Sequence, residues 1–99
     1  MNQLSNNLSQ QKPAKTGDDS AVAITMVESV NLALRRAMLE SDEVVVLGED
    51  VAINGGVFRA TDNLRSQFGV KRVMDTPLAE TMIAGMSIGM AAQGLRPVA

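Results

Sequence analysis

The sequence predicts an α/β fold built on a mostly parallel sheet, and three observations carry that expectation. Apolar residues recur at helical spacing over 24–40, a continuous β-branched run follows at Val44-Val45-Val46-Leu47, and helix-like and strand-like segments then alternate to Ala99. A continuous apolar run suits a strand covered on both faces, which is the mark of a parallel sheet, and alternation with helices supplies the covering layers.

The first helix is expected from Ile24 to Glu40. Thr25 is placed to cap its first turn, and Glu28, three residues on, completes a capping box. Val27, Val30, Leu34, Ala37 and Met38 make one apolar face, leaving Glu28, Asn31 and Arg35 toward solvent. The β-branched run ends at Gly48, and Glu49-Asp50 and a flexible Asn54-Gly55-Gly56 connection follow. A short helix from Thr61 to Phe68 is closed by Gly69, with Leu64 and Phe68 turned inward one helical turn apart. Arg72-Val73-Met74 is a second strand. Thr76 then offers a cap and Pro77 a first-turn residue for a helix running to Gln93, which Gly94 terminates. Leu95 to Ala99 opens a third strand. Three short strands leave a sheet edge and helix faces uncovered, so the sequence reads as truncated or completed by a partner.

Composition narrows the function classes. The chain has 99 residues, room for one small domain with a marginal core. Residues 1–23 form a polar tail, expected to be disordered because it holds too little apolar surface to offset the ordering entropy. That tail lacks a secretory apolar stretch, and its Asp residues and absence of Arg argue against a transit peptide, leaving the cytoplasm as the expected location. With no Cys and no His, thiolate metal sites, disulfides and imidazole bases are excluded, so proton chemistry must use carboxylates. A net charge of -2 and two Phe give neither a basic footprint nor stacking platforms for nucleic acid. Seven Met read chiefly as packing residues. The apolar stretch Met82–Ala92 falls well short of the roughly 18 residues a bilayer requires. Gly85 and Gly89 instead put small residues on one helix face, where another helix can approach closely within the chain or across subunits.

Ligands of open α/β sheets bind beyond the carboxyl ends of the strands. Glu49 and Asp50 follow the first strand, and Asp75 and Glu80 follow the second. Carboxylates converging there raise one another's pKa and can carry protons near neutral pH, whereas Asp50 and Asp75 also have the plainer role of capping turns. Asn54-Gly55-Gly56 fits neither common phosphate-loop spacing, which leaves a nucleotide-binding domain with little support.

The segments Leu47-Gly48-Glu49-Asp50-Val51, Asn54-Gly55-Gly56-Val57-Phe58, Arg72-Val73, Asp75-Thr76-Pro77-Leu78-Ala79-Glu80, Gly85, Gly89 and Gly94-Leu95-Arg96-Pro97-Val98 resemble, in order across 24–99, the beta subunit of the decarboxylating component of 2-oxo acid dehydrogenase complexes. The resemblance implies that residues 24–99 are the N-terminal part of a transketolase-like pyrimidine-binding domain. It implies thiamin diphosphate as cofactor, its aminopyrimidine held here and its diphosphate and magnesium held by an alpha subunit. Glu80 then falls on the glutamate that hydrogen-bonds ring nitrogen N1′, Leu78 packs on the pyrimidine face, and Glu49 lies near the cofactor and orients it. Implied partners are the alpha subunit, a second beta subunit in a heterotetramer, and a lipoyl-bearing acyltransferase. The stretch Ile53–Phe58 is more similar to pyruvate-using members than to branched-chain ones. The family's catalytic histidine and C-terminal domain have no counterpart within residues 1–99, so the chain alone is expected to be inactive, and a noncatalytic interaction module is the competing expectation.

Overall fold

A computed structural model describes residues 21–99; of the tail expected over 1–23, residues 1–20 lie outside them. The elements run α1 (Met26–Glu40), β1 (Val44–Gly48), α2 (Leu64–Phe68), β2 (Val73–Asp75), α3 (Glu80–Ala92) and β3 (Arg96–Val98). The strands form a parallel sheet in the order β2-β1-β3. β1 is central because it is the most apolar segment, and all five of its residues are buried. β3 lies at an edge, which accommodates Pro97: Arg96 N–H donates to Glu43 O, so the position lacking an N–H falls on the open side.

The capping box forms as expected. Glu28 N–H donates to Thr25 Oγ1 at 3.2 Å, and Thr25 N–H donates to a Glu28 carboxylate oxygen at 2.7 Å. The Thr25 backbone bond, with a smaller contribution from its side chain, holds the Glu28 carboxyl below the ordinary glutamate range. Because the folded value is depressed, this contribution to stability is present above the unfolded pKa and is lost as pH falls through the folded one. Glu28→Gln is therefore expected to flatten the acid limb of a pH-dependent unfolding curve, and an unchanged acid limb would remove Glu28 from that role.

The core is small: Met38 from α1, Val44 and Val46 from β1, Ala52, Leu64 from α2 and Val73 from β2, with Leu34, Ala37, Val51 and Phe68 packed around it. The inward placement of Leu64 and Phe68 holds. Val45 and Leu47, turned to the opposite face of the strand, are buried as well.

Four local expectations are corrected. The upper half of the α1 apolar stripe is not core, since Val30 is exposed and only Met38 is fully buried. Asn31 and Arg35 do not face open solvent: the Asn31 amide donates to Ala60 O and Asp62 O, both at 3.0 Å, anchoring the loop before α2. α2 begins at Leu64 rather than Thr61, because Asn63 adopts a left-handed φ of 61° that no helix interior permits. α3 begins at Glu80 rather than beside Pro77. Its N-cap is Ala79, which supplies no side-chain bond, while the Thr76 hydroxyl donates to Pro77 O.

Candidate functional site at the carboxyl edge of the sheet

The parallel pairing of β1 with β2 aligns Gly48 with Asp75, and Thr76 N–H donates to Gly48 O at 2.9 Å, one step past the ladder. The two chain segments that leave these strands therefore start side by side at one edge. Glu49 is the first residue out of β1 and is half-buried; Asp75 is the last residue of β2. Beyond Asp75 the chain passes through Pro77 and an exposed Leu78, 79% of whose surface is free, to Glu80 at the first turn of α3. The Glu80 side chain is exposed and takes no hydrogen bond or ion pair from the described residues. A carboxylate at a helix N-terminus is electrostatically favoured.

The four acids brought to this edge are not equivalent. Both Asp75 oxygens are occupied: Oδ1 accepts from Ala52 N–H at 2.8 Å and Oδ2 from Ile53 N–H at 3.2 Å. Asp50 sits in a left-handed turn with φ 56°, and its carbonyl accepts from Gly56 N–H at 2.8 Å. Asp75 thus serves the loop with its side chain, in line with its turn-capping alternative, whereas Asp50 contributes only its backbone carbonyl. Glu49, Asp50 and Glu80 are the acids of this edge whose carboxylates bond no described residue.

Residues 22–99 match the family described as transketolase, pyrimidine binding domain. The chain belongs to that family. Over 75 residues it is 51% identical to the pyruvate dehydrogenase E1 component subunit beta of Staphylococcus epidermidis and 49% identical to the same subunit of Staphylococcus aureus. The aligned stretch is 76% of this chain but 23% of either relative, so the chain spans about a quarter of their length. The expected α/β layering and parallel sheet are thus those of a transketolase pyrimidine-binding domain.

In this family member the loop between β1 and α2 is built rather than slack, which corrects the expectation of a flexible Asn54-Gly55-Gly56 connection. Thr61 N–H donates to Gly55 O, the buried Thr61 hydroxyl donates to Val51 O at 2.7 Å, and the Arg59 guanidinium donates to Asn54 O. The Gly56 N–H spent on Asp50 O is one donor fewer for a phosphate. Gly55 is required: its φ is 75°, and a Cβ there would meet Asp62 Cα at 2.8 Å. Gly55→Ala is expected to cost about 2 kcal/mol, combining left-handed strain with a backbone clash. A urea midpoint equal to wild type would show that the loop repacks. Gly85 and Gly89 differ, with nothing within 4 Å of a Cβ at either, and α3 carries no buried residue. The helix pairing anticipated for these glycines does not occur within the described residues.

Sequence reasoning missed the tethers made by Asn31, Thr61 and Asp75, since each joins residues remote in the chain and no local pattern announces them. A cleft of about 440 Å³ between α1 and residues 59–63 includes Val27, Asn31, Arg35 and Arg59 in its lining. None of Glu49, Leu78 or Glu80 lines it. Among the described residues no helix is long and apolar enough to cross a membrane.

Proposed function

We propose that this chain contributes the pyrimidine-binding part of a 2-oxo acid dehydrogenase beta subunit, with pyruvate as substrate and lipoamide on a lipoyl-bearing acyltransferase as the acyl acceptor. The observation that supports the reading is the pairing, at the carboxyl edge of a transketolase pyrimidine-binding fold, of an exposed Leu78 with an exposed Glu80 carboxylate that bonds none of the described residues. A flat heteroaromatic ring needs an apolar contact surface beside a hydrogen-bonding group, and this pair fits that need.

Thiamin diphosphate, when bound, supplies the electron sink for decarboxylating a 2-oxo acid. Glu80 would be the proton partner of ring nitrogen N1′, a positioned acid–base group. Leu78 packs against the pyrimidine face. Glu49, leaving β1 beside the segment that leads to Glu80, orients the ring or the Glu80 carboxylate. The diphosphate and its magnesium fall to an alpha subunit. A second beta subunit covers α3, whose exposed Ile88 and small Gly85 and Gly89 suit close helix approach. The setting is the cytoplasm.

The test is reconstitution of the gene's full polypeptide with an alpha subunit, followed by acyl transfer to lipoamide. Pyruvate-dependent, thiamin-dependent acetyl transfer is expected. Turnover of branched-chain 2-oxo acids or acetoin with none of pyruvate would overturn the substrate, and no thiamin dependence at all would overturn the function.

The uncovered α3 also favours a second reading, a noncatalytic subunit-interaction module. It predicts association with the alpha subunit by sizing, without any contribution to thiamin binding.

A further inference from the structure

We propose that Asp75 is a positioning residue that sets the spacing between the Glu49 loop and the Glu80 segment, a role that rests on the thiamin-binding reading given above. Asp75 ends β2, the strand whose continuation carries Leu78 and Glu80. Its two carboxylate oxygens accept the backbone N–H groups of Ala52 and Ile53, at 2.8 and 3.2 Å, three and four residues beyond Glu49. One side chain therefore ties together the segments leaving β1 and β2.

The backbone alone joins these segments only through the last ladder pair, Gly48 with Asp75, and the Thr76 N–H bond to Gly48 O. Past that point nothing in the ladder holds the loop from β1 against the chain leading to α3. The Asp75 carboxylate adds two charge-assisted bonds there, stronger than neutral ones and directional. The loop's other anchors point elsewhere: Thr61 bonds Val51 O, and Asn31 bonds Ala60 O and Asp62 O. Those bonds close the loop on itself and on α1; the Asp75 pair references it to β2. A group placed between Glu49 and Glu80 meets both carboxylates at a spacing that Asp75 determines.

Two substitutions in the assembled protein separate this role from general stability. Asp75→Ala removes both acceptors, and Asp75→Asn keeps one oxygen for Ala52 N–H while presenting an amide to Ile53. The first readout needs no cofactor: amide exchange by mass spectrometry, comparing residues 49–54 with β1. Asp75→Ala is expected to speed exchange at 49–54 while leaving β1 protected, with Asp75→Asn intermediate. The second is the half-saturating concentration of thiamin diphosphate, expected to rise about 10- to 100-fold in Asp75→Ala, the scale on which small misplacement of binding groups is felt, with partial rescue in Asp75→Asn.

Unchanged exchange at 49–54, or increased exchange with wild-type thiamin affinity, overturns the positioning role. Loss of protection in β1 together with the loop also overturns it, since Asp75 is then a general structural residue. If Asp75→Ala does not assemble, Asp75→Asn decides on the same two readouts. If the wild-type assembly shows no thiamin saturation, the functional reading fails and the positioning role with it, whatever the exchange data show about the tether.

Discussion

Replacing Glu80 with Gln is expected to slow exchange of the C2 proton of bound thiamin diphosphate by about 10²- to 10⁴-fold, the range that a positioned acid–base group contributes. Gln keeps the size and one carbonyl acceptor, but it cannot exchange a proton with the ring nitrogen that the functional reading assigns to Glu80. The fold should be indifferent. Glu80 is exposed at the first turn of α3 and bonds no described residue, so the change removes only a favourable charge near a helix N-terminus, about 0.5 kcal/mol. Acid-quenched deuterium incorporation at C2, measured by NMR in the assembled protein, separates the two effects. Wild-type exchange in a variant with normal cofactor occupancy would sink the role of Glu80.

The second large effect is on stability and falls on Arg72, a residue with no part in the proposed site. Its guanidinium donates to Met38 O at 2.9 Å and Ser41 O at 2.6 Å, and to Val44 O at 3.1 and 2.9 Å. It lies 5.1 Å from the Phe68 ring centroid and 3.6 Å from an Asp42 oxygen. The exposed Asp42 adds little, but the carbonyls matter. Those of Met38 and Ser41 lie at the C-terminal end of α1, where backbone acceptors lack helical partners and where the last turn holds no basic residue. Arg72 supplies from the far side of the sheet edge the cation that α1 does not carry itself.

Arg72→Ala is accordingly expected to cost about 3 kcal/mol, because part-buried carbonyls lose a charged donor and the packing on Phe68 goes with it. Arg72→Lys should recover less than half, since one ammonium cannot span three carbonyls as a planar fork does. Chemical denaturation of the two variants against wild type measures both. A cost under about 1 kcal/mol for Arg72→Ala would mean that water replaces the guanidinium freely.

The elements and the parallel character of the sheet were legible because each rests on a local signal. The β-branched run became the buried central strand, the Thr25–Glu28 spacing became a capping box, and Gly69 and Gly94 each take the positive φ that ends a helix. Where local signals misled, a competing bond or dihedral intervened. Thr76 has a capping hydroxyl, yet it turned to Pro77 O, and α3 started uncapped at Glu80. Asn31 has the pattern of a solvent-facing helical residue, yet two loop carbonyls claimed its amide.

For the candidate site the division is sharper. Sequence alone determined that Glu49 and Glu80 lie just after strands and that the run from Asp75 to Glu80 carries the family resemblance, because strand propensity, helix stops and motif order are properties of neighbours in the chain. Only the tertiary structure decided which acids are available. Composition and spacing left Asp75 either a turn cap or a proton carrier, and the Ala52 and Ile53 amides decide for the cap, whereas no described residue bonds the Glu80 carboxylate. Those donors lie more than 20 residues from Asp75 in sequence and reach it only once β1 and β2 pair with Gly48 beside Asp75. A hydrogen bond between remote segments depends on register, and register exists only in the folded sheet.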